Sequence, residues 1–351
     1  MLFRSRDVGG YAVALATSMD TIFGGKAGGV FFCASDIGWV VGHSYIVYAP
    51  LLAGMATVVY EGLPTYPDCG VWWKIVEKYQ VCRMFSAPTA IRVLKKFPTA
   101  QIRNHDLSSL EVLYLAGEPL DEPTASWVTE TLGVPVIDNY WQTESGWPIM
   151  AIARGLDDRP SRLGSPGVPM YGYNVQLLNE VTGEPCAANE KGMLVIEGPL
   201  PPGCIQTIWG DDARFVNTYW SLFSRQVYAT FDWGIRDADG YYFILGRTDD
   251  VINVAGHRLG TREIEESISS YPNVAEVAVV GVKDALKGQV AVAFVIPKQS
   301  DSLEDRDIAH SEEKAIMALV DSQIGNFGRP AHVWFVSQLP KTRSGKMRSE
   351  E

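Results

Sequence analysis

Apolar and polar residues along this chain follow two successive rhythms. Over residues 30–120, short apolar runs alternate with segments of helical spacing. ATVVYEG (56–62) reads as a strand, and GVWWKIVEKYQV (70–81) places apolar side chains at helical intervals. CRMFSAPTAIRVL (82–94) reads as a strand, a turn and a helix start. LEVLYLAGEPL (110–120) is a strand running into a Gly-Glu-Pro turn, and VPVIDNYWQTESG (134–146) repeats that form. Strands separated by helices predict a mainly parallel sheet, with any ligand at the carboxyl ends of its strands. AGEP and DNYWQTE both fall at that edge, so they are expected to face one pocket.

From about residue 160 the rhythm changes. GYNVQLLN (172–179), GMLVIEG (192–198) and DADGYYFILGR (237–247) read as strands joined by Gly and Asp turns, a β-rich subdomain over about 160–248. Alternation then resumes. TREIEESISSY (261–271) predicts a helix with Thr261 as N-cap and Glu263 and Glu265 in its first turn. VAEVAVVGV (274–282) and VAVAFVIP (290–297) predict strands, and apolar spacing predicts a helix over 311–323. The charged, turn-prone Arg247–Asp250 segment is the expected boundary. The expectation is α/β: a partial large domain over 1–248 and a small α+β domain over 249–351.

One stretch, WVVGHSYIVYAPLLAGMATVVY (39–60), has no Asp, Glu, Lys or Arg and is long enough for a bilayer. Gly42, His43, Ser44, Pro50 and Gly54 interrupt it, so a buried helix feeding a buried strand is expected instead, with His43 as a core histidine. The formal net charge is −11, which argues against nonspecific nucleic-acid binding. The five cysteines are odd in number and form no C-x-x-C pair. They suggest a reduced, cytoplasmic compartment and no structural zinc.

Three segments could carry chemistry. In YWQTES (140–145), Thr143 could donate to a phosphate and Glu144 could offer a hard oxygen to Mg²⁺. Spacing alone favours the plainer reading, a solvated strand exit. Asp232 and Arg247 flank one hairpin, where an Asp could accept both hydroxyls of a ribose or form only a surface ion pair. Near the end, QLPKTRSGKM (338–347) places Lys341, Arg343 and Lys346 in a Gly/Ser-rich loop, suited to delivering a lysine to a phosphate or to being a basic tail.

Taken in order, LAGEPL, DNYWQTESG, DDARFVNTYW, TFDWGIRDADGYYFILGRTDDVINVAGHRLGTREIEESI and LPKTRSGKM closely resemble the adenylate-forming acyl-CoA synthetases, in the acetyl- and propionyl-CoA synthetase branch. The resemblance runs from about residue 6 to 347. It implies a two-step ligase using ATP, Mg²⁺ and coenzyme A on a short carboxylate, propionate first. The small domain would rotate between steps. By resemblance, Gly117, Glu118 and Pro119, with Asp138, Asn139 and Tyr140, wall the adenine, and Trp141 and Gln142 are ATP/AMP-binding residues. Thr143 meets the α-phosphate and Glu144 is the metal ligand. Asp232 and Arg247 bind the ribose, and Arg258 a phosphate. Asp249 is the hinge, and Ala255 and Gly256 meet coenzyme A. Lys346 is the catalytic lysine of adenylation and a target for a protein acyltransferase and deacylase. Val40, Val41, Ala116 and Trp141 line the carboxylate pocket. An acetate-preferring ligase and a non-catalytic nucleotide-binding relic are the alternative readings.

Two departures accompany the resemblance. The family's Ser/Thr/Gly-rich phosphate loop is absent, and the C-terminal continuation after KMRSEE is missing. The chain therefore reads as an interior fragment, expected to be inactive alone.

Overall fold

The computed structural model describes residues 4–118, 120, 122–156, 159–248, 251–254, 257–284, 288–299 and 305–340. The chain divides into two compact units, Met1–Thr230 with Gly234–Ile244, and Phe231–Trp233 with Leu245–Glu351.

The first unit opens with helix α1 (Val8–Thr21), whose cap Asp7 accepts from Gly10 N at 2.5 Å. Five strands follow, β1 (Val30–Cys33), β2 (Ala56–Val58), β3 (Arg83–Ser86), β4 (Val112–Ala116) and β5 (Val136–Asn139). They pair in the order β2-β1-β3-β4-β5, every pair parallel. Parallel neighbours require crossovers. Helices α2 (Val71–Tyr79), α3 (Pro88–Lys95) and α4 (Glu122–Leu132) provide them. The helical spacing over 70–81 buries Trp72, Trp73 and Val76 against Phe32, Met84, Leu113 and Leu115. The register sets Ala116 opposite Asn139 and Ser86 opposite Leu115, so the strands end together at one edge.

Strand β2 stops at Val58, short of the expected 62. Residues 39–60 do contain helix then strand. The helical part is a wide π-type stretch, His43–Tyr48, between the short turns Val40–Gly42 and Ala49–Leu52. Only its inner side is buried, through Ser44, Tyr45, Ile46 and Ala49. Tyr48, Leu51, Leu52 and Val59 are exposed, and so is His43, which is therefore not a core histidine. No helix among the described residues is long and apolar enough to cross a membrane.

The β-rich segment forms a four-stranded sheet from β6 (Asn174–Leu178), β7 (Gly192–Glu197), β8 (Val227–Arg236) and β9 (Tyr242–Arg247), in the order β9-β8-β7-β6. Asp237–Gly240 is the turn before β9 rather than part of it. Helix α5 (Asp212–Tyr219) precedes β8, and its cap Asp211 accepts from Arg214 N at 3.0 Å.

In the second unit, β10 (Val251–Val254), β11 (His257–Gly260), β12 (Val274–Asp284), β13 (Gly288–Pro297) and β14 (His332–Phe335) form one sheet. Its order is β11-β10-β13-β12, with β14 parallel to β13. Helices α6 (Thr261–Ser269) and α7 (Arg306–Gln323) bury Ile264, Ile268, Ile316 and Val320 on Val277, Val279, Ala293 and Val295. Gly260, not Thr261, caps α6. Thr261 is its first helical residue and Gly260 has extended dihedrals. Helix α7 starts earlier than its apolar spacing suggests, because Asp305 accepts from Asp307 N and Ile308 N and stabilises a polar first turn.

Candidate functional site

The carboxyl edge of the parallel sheet gathers most of the expected residues of the first unit. Gly117 leaves β4 at φ +93, and a Cβ there would meet nothing within 4 Å, so open space lies above this turn. Glu118 is anchored from α3. Thr89 Oγ1 lies 2.6 Å from both carboxylate oxygens, and Arg92 Nη1 donates to Oε2 at 2.9 Å. Both partners come from the APTAIR segment, one turn apart on one helix face. Next in the sheet, Asn139 is buried. Its Nδ2 donates to Leu115 O at 2.9 Å, while its Oδ1 accepts no hydrogen bond from the described residues. Asp138 Oδ1 accepts from Asn139 N at 2.9 Å. An open glycine turn at a strand end leaves room for a flat heterocycle.

Residues 140–146 form a loop held from several sides. Tyr140 N donates to Met150 O at 2.9 Å and Ile205 N to Glu144 O at 2.7 Å. Gln142 Nε2 donates to Thr230 O at 2.7 Å, and the Ser145 hydroxyl accepts from Gln142 N at 3.1 Å. Arg6 Nη2 donates to the Thr143 carbonyl. Gly146 has φ +77, and an added Cβ would collide with Arg6, so only glycine closes this turn. Thr143 is exposed on the rim.

The Glu144 carboxylate is 12% exposed. Arg4 Nε lies 2.5 Å from Oε1, and Tyr219 Oη donates to the same oxygen at 2.9 Å. Burial, then the Glu144 charge, push the Tyr219 phenol up, so it stays a donor. A single fixed carboxylate beside a hydroxyl suits Mg²⁺, which commonly takes one or two protein carboxylates and completes its shell with water and substrate phosphate. The donor set therefore fits that ion.

Trp141 is half-buried. Its ring lies 5.5 Å from Tyr45, nearly perpendicular, and 6.5 Å from Phe85. Ala116 is buried, and Val40 and Val41 are half-buried in the first helical turn after β1.

In the second unit, Asp232 is buried and Arg247, the last residue of β9, is exposed. Phe231, just before Asp232, has φ +60, and its carbonyl accepts from Thr248 N at 2.8 Å. Arg258 lies in β11 opposite Asn253. Pro119, Asp249, Ala255, Gly256 and Lys346 lie outside the described residues. The sequence reading assigned no role to Arg4, Thr89, Arg92 or Tyr219. DDARFVNTYW was the one available signal for Tyr219. The other three are recognised only by what the fold brings to them. Among the described residues no group of three or more His, Cys, Asp or Glu could hold a metal.

Known proteins align with both units. Residues 9–204 match the AMP-binding enzyme family and residues 263–346 the AMP-binding enzyme C-terminal domain. The propionate–CoA ligase of Salmonella typhimurium is 94% identical over 97% of this chain, and that of Escherichia coli K12 is 93% identical over the same share. An acetyl-coenzyme A synthetase of Pyrobaculum aerophilum is 44% identical over 97% of the chain. The chain spans about half the length of these relatives, 54% of the two ligases. Among solved structures, an anthranilate CoA ligase in complex with anthranoyl-AMP superposes with TM-score 0.78 at 24% identity, over 99% of this chain and 65% of that one. That superposition speaks to the fold.

Proposed function

Because this chain belongs to the AMP-binding enzyme family, we propose that the full-length protein is an ATP-dependent ligase converting propionate to propionyl-CoA. A propionate oxygen attacks the α-phosphorus of ATP, the bond to the bridging oxygen breaks, and pyrophosphate leaves. The thiol sulfur of coenzyme A then attacks the acyl carbon and AMP departs, with the thiol proton passing to solvent. The 93–94% identity to two propionate–CoA ligases is the observation that carries this reading.

The residues divide the work by position. Gly117, Glu118 and Pro119, with Asp138, Asn139, Tyr140 and Gln142, flank the adenine. Thr89 and Arg92 hold Glu118 in that wall. Thr143 donates to the α-phosphate, and Glu144 is the protein ligand of Mg²⁺. When bound, that ion would offset phosphate charge as pyrophosphate departs. Val40, Val41, Ala116 and Trp141 enclose the acyl chain. In the second unit, Asp232 and Arg247 take the ribose hydroxyls and Arg258 a phosphate. Ala255 and Gly256 meet coenzyme A, and Asp249 is the hinge. Lys346 stabilises charge developing during adenylation and leaves the site for the second step. Acylation of Lys346 by a protein acyltransferase, reversed by a deacylase, would remove that charge. The enzyme works in the cytoplasm.

The test is ATP–pyrophosphate exchange by the purified full-length protein. Exchange that requires propionate is expected. Exchange equal with and without any short carboxylate overturns the proposal.

A further inference from the structure

Helix α5 ends on Tyr219, and its register is set at its start. Asp211 caps it, and Thr207 Oγ1 bonds the Asp212 carboxylate in its first turn. That fixed register turns Tyr219 inward, where its ring stacks on Tyr228 with centroids 5.2 Å apart and planes 8° from parallel. Phe215, one turn earlier, packs on the same ring at 5.8 Å. Trp220 meets the Tyr228 ring edge-on at 5.9 Å. The aromatic packing would be complete with phenylalanine at position 219. The hydroxyl is what packing does not require, and it donates to Glu144 Oε1 at 2.9 Å. Tyr228 is the second unusual phenol. It is buried, and among the described residues its hydroxyl has no hydrogen-bond partner.

We propose that Tyr219 is a positioning residue, whose hydroxyl fixes the Glu144 carboxylate for the divalent cation that accompanies the nucleotide, with Tyr228 as the platform that fixes Tyr219. This rests on the reading of Glu144 as the metal ligand. A glutamate has three rotatable bonds, and ordering them on metal binding costs conformational entropy. Tyr219 imposes that order beforehand, which is how a supporting residue contributes to a functional site. Its bond falls on the same oxygen as Arg4, so both contacts orient the group from one side. Arg4 differs in kind. It is a cation, and it opposes a second cation at this carboxylate. Tyr219 is neutral and orients without opposing.

The test uses the full-length protein with Tyr219→Phe, Arg4→Gln and Glu144→Gln. The first readout is Mn²⁺ binding in the presence of ATP, followed by electron paramagnetic resonance, which needs no turnover. Tyr219→Phe should weaken Mn²⁺ about tenfold, the size expected for one lost hydrogen bond to a charged group, with metal-free ATP binding unchanged. Arg4→Gln should tighten Mn²⁺, and Glu144→Gln should weaken it at least as much as Tyr219→Phe. The second readout is the free Mg²⁺ giving half-maximal propionate-dependent exchange. It should rise about tenfold in Tyr219→Phe, while thioester formation from supplied propionyl-adenylate is retained.

Unchanged Mn²⁺ affinity in Tyr219→Phe, beside a weakened Glu144→Gln, overturns the inference. Equal loss of both half-reactions also overturns it, because Tyr219 would then be only a packing residue. Unchanged Mn²⁺ affinity in Glu144→Gln overturns the metal-ligand reading and the inference with it. A protein that shows the expected Mn²⁺ pattern without propionate-dependent exchange supports the inference and sinks the proposed reaction.

Discussion

Replacing Ala116 by valine adds two methyl groups at the carboxyl end of β4, where Ala116 is only 6% exposed. In the proposed carboxylate pocket the new methyls would meet Trp141, which has little room to retreat. Trp141 is backed by Tyr45 at 5.5 Å and Phe85 at 6.5 Å, and both backing rings are fully buried. Close-packed interiors accommodate extra volume poorly. The volume is therefore taken from the acyl chain. A buried substrate methylene contributes about 0.8 kcal/mol, and a clash in its place raises the discrimination to roughly 1–3 kcal/mol. That is a change in the propionate/acetate ratio of kcat/KM of about five- to 150-fold. The assay is kcat/KM for acetate, propionate and butyrate in the unmutated full-length protein, Ala116→Val and Trp141→Gly. The unmutated protein should prefer propionate, Ala116→Val should shift towards acetate, and Trp141→Gly should admit longer acids. An Ala116→Val protein with an unchanged ratio would refute the pocket assignment and leave the ligase reading intact.

Three further outcomes are expected. Lys346→Ala in the full-length protein should lower adenylation by about a hundredfold or more while thioester formation from supplied acyl-adenylate persists, as separate half-reaction assays would show. Burial pushes the Cys204 thiol up to about 11 from an ordinary 9. The folded state keeps this proton after the unfolded chain has lost it, so stability should be full below pH 9 and fall by roughly 2–3 kcal/mol as pH rises to 11. Cys204→Ala should make that part of a urea-denaturation pH series less steep, buried Cys33 keeping a slope of its own, and an unchanged slope would contradict the burial argument. Phe231 holds φ +60, a region where an L side chain is strained. Phe231→Gly should exceed Phe231→Ala in stability by about 1 kcal/mol, the reverse of the usual order inside a strand, because both lose the ring and only glycine relieves the backbone. Equal melting temperatures for the two would refute the strain.

The parallel sheet was legible because its central strands are buried on both faces. VLYLA in β4 is an apolar run buried at every position, and RMFS in β3 is buried throughout. The small unit was legible from period alone, since EIEESI and VAEVAVV follow helical and strand rhythms. Errors arose where local polar chemistry rather than periodicity determined the structure. Asp305 extends α7 by a capping bond that apolar spacing cannot register. Extended Gly260 displaces Thr261 from the cap of α6. His43 lies in an uncharged run, yet its π-type turn presents it to solvent. At the candidate site, motif residues could be named in sequence, but their supports could not. Glu118 depends on Thr89, 29 positions away, and Glu144 on Tyr219, 75 positions away. Such pairs are products of topology, and no local pattern announces them.

The most direct measurement of the central claim is product analysis by mass spectrometry, with the full-length protein, propionate, ATP, Mg²⁺ and coenzyme A. Propionyl-CoA and AMP should form in equal amounts, each requiring propionate. ADP in place of AMP, or AMP without thioester, would contradict it.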